Sequence, residues 1–227
     1  NPEHAFDCFE RDNQLKLSNE QAVTVIQSCR NRFSIITGGP GVGKTTILNA
    51  ILEILSAKGV EPLLCAPTGR AAKRLHESTG RAALTLHRAL EYQPQVGFTR
   101  NRQNKLSGDF FVIDETSMVD VVLMASLLDA IPDNGHLLLV GDVDQLPSVG
   151  PGSVLQDMIE SGVFPVARLT RIFRQSESSR IVKAAHDVNK GEIPSLENTS
   201  GTDFFFIERE HPKAIRETLQ HLIKERI

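Results

Sequence analysis

The chain has 227 residues, 40% of them hydrophobic, and a formal net charge of −3, enough for one large α/β domain or for one domain and part of another. No stretch approaches the ~20 apolar residues that a bilayer-spanning helix needs, and no charged and apolar leader opens the chain. Cys8, Cys29 and Cys65 lack CxxC or Cys/His ligand spacing, which excludes a zinc module and leaves them as reduced packing residues of a cytoplasmic protein with no membrane partner.

In chain order, Leu17-Ser18-Asn19-Glu20-Gln21 predicts a helix start with Ser18 or Asn19 as N-cap, and Ala22, Val25, Ile26 and Cys29 continue it at helical spacing. Short apolar runs at Phe33 to Thr37, Pro62 to Ala66, Phe110 to Ile113 and Leu137 to Val140 read as strands buried on both faces. Between them, Thr46 to Lys58, Gly69 to Thr79 and Val119 to Ala130 read as helices. This alternation predicts an α/β fold with a mostly parallel sheet flanked by helices. Tyr92 to Gly108, with Pro94, Gly97, Asn101 and Asn104, reads as a basic surface excursion or hairpin. Beyond Arg168 the pattern changes to a helix from Ser178 to Lys190, a strand from Phe204 to Ile207 and a final helix from Pro212. The expected domains are therefore residues 1–168 and residues 169–227, with the boundary near Leu169 to Gln175. The chain opens with Asn and its charged last helix carries no capping signal, as expected of a piece of a longer polypeptide.

Gly38-Gly39-Pro40-Gly41-Val42-Gly43-Lys44-Thr45 fills every position of the phosphate-binding loop pattern, between a strand and a helix as that motif requires. Its glycines let backbone amides wrap a polyphosphate, and the following helix presents a positive dipole end to it. Gly39, Pro40, Gly41, Val42, Gly43, Lys44, Thr45 and Thr46 are the expected nucleotide contacts. Lys44 reaches the outer phosphates and Thr45 takes one position on Mg²⁺. The strand Phe110 to Ile113 ends in Asp114-Glu115. There Asp114 would hold Mg²⁺, directly or through water, and Glu115 would orient and deprotonate an attacking water, a pairing that favours hydrolysis over transfer.

Charge is segregated along the chain. Thr68 to Lys105 holds eight cations (Arg70, Lys73, Arg74, Arg81, Arg88, Arg100, Arg102, Lys105) against two acids, whereas Leu106 to Ala167 holds ten acids and no Lys or Arg. This suggests one basic track beside a metal-binding end.

Asp114-Glu115-Thr116-Ser117-Met118-Val119-Asp120 and Gly141-Asp142-Val143-Asp144-Gln145-Leu146-Pro147-Ser148-Val149-Gly150-Pro151-Gly152 resemble motifs II and III of superfamily 1 DNA helicases, most closely the RecD-like group. Ala66-Pro67-Thr68-Gly69-Arg70-Ala71-Ala72 is similar to motif Ia, and Thr85-Leu86-His87-Arg88 to the adjoining DNA-contact motif. Leu169-Thr170-Arg171-Ile172-Phe173-Arg174-Gln175 is similar to motif IV. The resemblance runs from about Leu17 to the end of the chain. It implies a RecA-like P-loop NTPase fold with the start of a second motor domain, and an ATP-dependent motor moving 5′ to 3′ on single-stranded DNA with Mg²⁺.

The resemblance also implies roles for single residues. Gln21 would read the adenine edge, although a polar residue at a helix start fits the same position. Gln145 would sit between the γ-phosphate and the nucleic acid. Arg174 would touch the γ-phosphate, with Arg171 its local rival. Pro67, Thr68, Gly69, Arg70, Thr85 and His87 would contact DNA, while a packed core role for His87 stays open. With no Trp and a single Tyr92, base stacking falls to Phe98 or to other parts of the protein. The second domain's arginine, typically worth ~10³ to 10⁵ in rate, does not occur before Ile227. Residues 1–227 are thus expected to bind ATP but hydrolyse it slowly and not unwind. Two other readings are a DNA-gripping subunit assembled with helicase and nuclease partners, and an RNA-directed superfamily 1 helicase. A non-motor P-loop switch is more distant, because it would not need the basic segment.

Overall fold

The computed structural model describes residue 11, residues 16–170 and residues 179–226. The chain divides into two compact units, Asn1–Phe173 and Arg174–Ile227.

The first unit begins at Ser18, which is the N-cap of helix α1 (Asn19–Arg30). Its hydroxyl accepts from the Gln21 amide at 3.3 Å, while the Gln21 side-chain oxygen accepts from the Ser18 amide at 3.0 Å, a reciprocal capping box. There follow β1 (Phe33–Gly38), α2 (Lys44–Ala57), β2 (Leu63–Ala66), α3 (Gly69–Thr79), β3 (Ala83–Thr85) and α4 (Leu86–Ala89). A small antiparallel hairpin, β4 (Tyr92–Gln93) with β5 (Gly97–Phe98), leads to β6 (Phe110–Ile113) and a 3-10 turn at Thr116–Met118. The unit is completed by α5 (Val121–Ala130), β7 (His136–Gly141), α6 (Val154–Glu160) and β8 (Val166–Leu169).

Six strands form one sheet in the order β3-β2-β6-β7-β1-β8, and every pairing is parallel. Because side chains alternate across a strand, successive residues enter opposite cores. Ile36, Val112, Leu138 and Val140 join Val25, Ile47, Ile51 and Leu75 from α1, α2 and α3 on one face. Ile35, Phe111, Ile113 and Leu139 join Leu86, Leu127 and Leu155 from α4, α5 and α6 on the other. The helices on both faces explain why these strands read as continuous apolar runs.

The expected α/β architecture is present, and besides the one-turn α4 and the 3-10 turn three elements come in addition to the predicted set. Strand β3 is only three half-buried residues at the sheet edge, β8 carries the exposed Arg168 at the other edge, and α6 is two turns long. All three are too short for a periodic signal.

In the second unit, Ser179 caps α7 (Arg180–Asn189) by accepting from the Val182 amide at 3.2 Å, and α8 (Pro212–Arg226) ends the described chain. The strand expected at Phe204 to Ile207 is absent from the structure. The side chain of Asn198 bonds Phe206 from both sides, its oxygen accepting from the amide at 2.8 Å and its nitrogen donating to the carbonyl at 2.9 Å. Asn198 thus does for Phe206 what a neighbouring strand would do, and the segment remains irregular with Phe205, Phe206 and Ile207 exposed. A strand is defined by its ladder, and no described residue supplies one here.

Leu139 is fully buried at the centre of β7. Leu139→Ala should lower unfolding stability by about 2–5 kcal/mol in urea titration, while Val163→Ala, at a position 76% exposed, should change it by less than about 0.5 kcal/mol.

Candidate functional site

The segments singled out by sequence cluster at the carboxyl ends of the parallel strands, where ligands of such sheets bind. The phosphate-binding loop leaves β1, Asp114-Glu115 leave β6, and Gly141 to Gln145 leave β7, which lies between the other two strands. The loop needs its glycines: Gly41 and Gly43 adopt positive φ angles of 75° and 85°, a region that L side chains rarely enter. A Cβ on Gly38 would lie 2.6 Å from the Leu169 carbonyl oxygen of β8, so β8 and the loop approach as closely as backbone allows.

Lys44 donates to the carbonyl of Gly38 and to that of Gly39, the latter at 2.9 Å. The ammonium therefore braces the start of its own loop, and reaching a phosphate means exchanging these acceptors for phosphate oxygens. Burial pushes the Lys44 pKa down, opposed by Asp142, Glu115 and Asp114 in that order, which brings one cation and three carboxylates into a single electrostatic cluster. Asp114 is pushed up to about 6, first by burial and next by the Glu115 carboxylate, against the Glu115 amide and Lys44, which lower it. Glu115 sits in the left-handed region at φ 52°, a conformation that costs a non-glycine residue about 1–3 kcal/mol and that re-aims its side chain at the strand end. The Thr45 hydroxyl at the first turn of α2 and the Asp114 carboxylate form a hard-oxygen donor pair that suits Mg²⁺. No cluster of three or more His, Cys, Asp or Glu ligands occurs among the described residues. A cation held here would complete its shell with phosphate oxygens, the usual mode for Mg²⁺.

Four residues that sequence reasoning did not assign lie at the base of these loops, and two of them, Thr37 and Thr116, tie neighbouring strand ends together. The buried Thr37 at the end of β1 accepts from the Val143 amide at 3.2 Å. The buried Thr116 hydroxyl lies 2.9 Å from the Ile113 carbonyl and 3.0 Å from the Val140 carbonyl, spanning the ends of β6 and β7. Asp142 is 3% exposed; its carboxylate accepts from the Asp144 amide at 3.1 Å and its carbonyl from the Gln145 amide at 3.2 Å. The Ser117 hydroxyl is buried without a partner among the described residues. Two threonines at strand ends and an acid directly after a Val-Gly strand terminus were the available signals. Gln145 itself is exposed at the tip of the turn that Asp142 shapes.

Gln21 is 3% exposed and takes part in the capping box of α1, its side-chain oxygen accepting from the Ser18 amide. Arg171 and Arg174, both candidates for the γ-phosphate, lie outside the described residues, as do Phe173 and Gln175.

At the other end of the rim, Pro67 to Arg70 follow β2, Thr85 ends β3 and His87 lies just beyond it. Thr68 caps α3 by accepting from the Ala71 amide at 3.2 Å, and Thr85 caps α4 by accepting from the Arg88 amide at 3.2 Å. Both hydroxyls are thus structural caps, Thr68 beside the exposed Gly69 and Arg70 and Thr85 before the buried Leu86. His87 is exposed, not a core residue. Its ring lies 5.6 Å from Tyr92 and 5.5 Å from Phe98, which are 5.1 Å from each other, so three rings cluster on the hairpin.

The basic run is not one open track. Lys73, Arg81, Arg100 and Arg102 pair with Glu77, Glu61, Glu91 and Asp129, and Lys105 donates to the carbonyls of Asp129 and Ile131. Arg70, Arg74 and Arg88 carry no ion pair among the described residues. Alternating cations and acids that are far apart in sequence meet in the fold, which a linear charge count misses.

An all-parallel sheet with this loop, this carboxylate pair and this rim defines a P-loop nucleotide-binding domain. The AAA domain family matches residues 19–151, more than half of the chain, and the chain belongs to that family. Beyond that family, the chain is similar to RecD-type helicase proteins. It is 44% identical over 179 residues to an ATP-dependent RecD2 DNA helicase of Deinococcus radiodurans, covering 79% of this chain and 25% of that protein. It is 39% identical over 185 residues to the RecBCD enzyme subunit RecD of Mycolicibacterium smegmatis, covering 70% of this chain and 33% of that protein. The chain therefore spans about a quarter to a third of the length of these relatives. Among solved structures, a Pif1 helicase from Candida albicans shares the fold at TM-score 0.60 and 22% identity, with 92% of this chain and 55% of that one covered. A Bacteroides Pif1 bound to ssDNA does so at TM-score 0.55 and 21% identity, with 90% and 55% covered. Among the described residues no helix is long and apolar enough to cross a membrane.

The raised Asp114 value has a signed consequence. An acid whose folded pKa exceeds its ordinary value adds stability fully present below about pH 4, which is lost as pH rises through about 6. Asp114→Asn should therefore make the nucleotide-free protein more stable than wild type at pH 7.5 by about 1–3 kcal/mol, and the difference should shrink toward zero near pH 4. Urea titrations across that range measure it, and a variant less stable than wild type at pH 7.5 would contradict the assigned cause.

Proposed function

We propose that this chain is the ATP-hydrolysing part of a DNA helicase or translocase motor, with residues 1–168 as its first motor domain and residues 169–227 as a linker and the opening of a second. The observation that carries the reading is the adjacency of β1, β7 and β6. It sets Lys44 and Thr45, the Gln145 turn, and Asp114 with Glu115 side by side on one rim. In this reading the loop amides and Lys44 hold the β- and γ-phosphates of ATP. Thr45 and Asp114 hold Mg²⁺, and Glu115 orients the attacking water and takes its proton. Gln145, an uncharged donor, reports the γ-phosphate without binding ADP tightly, and Gln21 and Arg174 complete the nucleotide site. Single-stranded DNA runs across Pro67 to Arg70, Thr85 and His87, where the exposed start of α3 and Arg70, Arg74 and Arg88 meet its phosphates. The ring cluster of His87, Tyr92 and Phe98 stacks on its bases.

The names of the relatives support this reading, because one is a DNA helicase and the other a subunit of RecBCD. Movement 5′ to 3′ rests on the resemblance of motifs Ia to III. Assembly with helicase and nuclease subunits is the second reading, favoured by the RecBCD relatives.

In the full-length protein, single-stranded DNA should raise ATP turnover at least about tenfold, and Lys44→Ala should abolish turnover. Gln145→Ala should keep ATP affinity within about threefold and lose most of the stimulation. Matched RNA strands that stimulate as well as DNA would move the assignment to an RNA helicase. Unwinding of duplexes with a 5′ but not a 3′ tail checks polarity, and the reverse preference would overturn it.

Phe98→Ala should weaken single-stranded DNA binding by about 5- to 100-fold in fluorescence anisotropy, as expected for loss of one stacked base. A change below twofold would remove the hairpin from the binding surface.

A further inference from the structure

Ser117 follows Asp114-Glu115 in the 3-10 turn, and its hydroxyl is sealed from solvent with no hydrogen-bond partner among the described residues. A buried hydroxyl without a partner is unfavourable, and native proteins keep few of them. The turn around it is firmly held. Thr116 bonds the ends of both flanking strands, and the Ser117 amide lies 3.3 Å from the point where a side chain on Gly141 would begin. Ser117 and Gln145 line the same small cavity, together with Pro147, Leu155 and Gln156. Of the two amides there, Gln156 already donates to Glu160 at 2.8 Å. Gln145 is anchored through its backbone to Asp142 and is otherwise exposed.

We propose that Ser117 is the positioning residue for Gln145: in the nucleotide-bound protein its hydroxyl donates to the Gln145 side-chain oxygen and fixes the orientation of that amide. The chemistry selects one orientation. A primary amide has one acceptor end and one donor end, and a γ-phosphate offers acceptors alone. Only the amide nitrogen can address the phosphate, so the oxygen must find a donor on the opposite side. Ser117 offers that donor from a turn stapled to β6 and β7, and the contact would satisfy a hydroxyl that otherwise stays unpaired. A held amide reports the phosphate at one position, whereas a freely rotating one samples many and loses the advantage of preorganisation.

This inference rests on the coupling role proposed for Gln145, and the test separates the two. In the full-length protein, Ser117→Ala should lower DNA-stimulated kcat about tenfold while KM for ATP stays within about twofold. Its melting temperature should be unchanged or a few degrees higher, since an unpaired buried hydroxyl is removed. The double variant Ser117→Ala/Gln145→Ala should be no slower than Gln145→Ala alone, because both act through one contact. Normal stimulation in Ser117→Ala beside a clear loss in Gln145→Ala would overturn the proposal and leave the function intact. So would a raised KM with a lowered melting temperature, which marks a purely structural role. Normal stimulation in Gln145→Ala would instead remove the coupling role and, with it, the partner assigned to Ser117.

Discussion

Loops from three strands can act on one phosphate group only if the strand ends keep their spacing, and that spacing rests on β7. It lies between the strand of the phosphate-binding loop and the strand of the carboxylates, so each is fixed to the other only through it. Two threonine hydroxyls complete the connection where the ladder runs out. Thr37 of β1 accepts from Val143, and Thr116 after β6 reaches the Val140 carbonyl. Gly141 permits this closeness, because a Cβ there would meet Leu155 at 2.8 Å and the Thr116 and Ser117 amides at 3.3 Å. The site is thus a packed unit whose polar contacts are few and buried, and buried contacts of this kind are costly to break.

Burial also works against the charges that the site collects. It depresses Lys44 and raises Asp114, so each would be better solvated elsewhere, and their mutual attraction only partly offsets the loss. This tension is common at sites that bind a charged ligand: the groups are kept short of partners so that a polyphosphate and its cation can supply them. The left-handed Glu115 fits the same pattern, since the backbone accepts strain at one of the residues expected to act on the substrate.

Much of this was legible in the sequence, and the parts that were not share a cause. The phosphate-binding loop, the carboxylate pair, four central strands and the helices between them announce themselves by composition or period over several residues. The rest depends on what comes near in space. Strands β3 and β8 are stabilised by their neighbours rather than by their own residues. Phe204 to Ile207 has a strand's composition but finds the side chain of Asn198 in place of a ladder. Five of the eight cations between Thr68 and Lys105 are committed to partners, and apart from the i,i+4 pair Lys73–Glu77 linear order does not reveal them, as with Asp129 for Arg102. Ser117 stands in a recognised motif, yet only the fold shows that its hydroxyl is without a partner.

The strand order bears on how a nucleotide could influence a polynucleotide at all. The phosphate-binding loop on β1 and the helix start after β2 are separated by β7 and β6, three strand spacings or about 14 Å. Exposed charges at that distance are largely screened at physiological salt, where the Debye length is about 8 Å. Direct electrostatic interaction between the two ends is therefore weak. What spans the gap is the strand ends themselves: Thr37 to Val143, Val140 to Thr116, and the Asp114 amide to the Cys65 carbonyl at 2.9 Å, one residue before the segment that leads to Thr68 and Arg70. A close-packed chain of this kind shifts as a unit rather than deforming locally. The Asp114 to Ser117 turn is bonded to the β7 end through Thr116 and to the β2 end through the Asp114 amide, which makes it the most direct hydrogen-bonded link between the two sides of the rim.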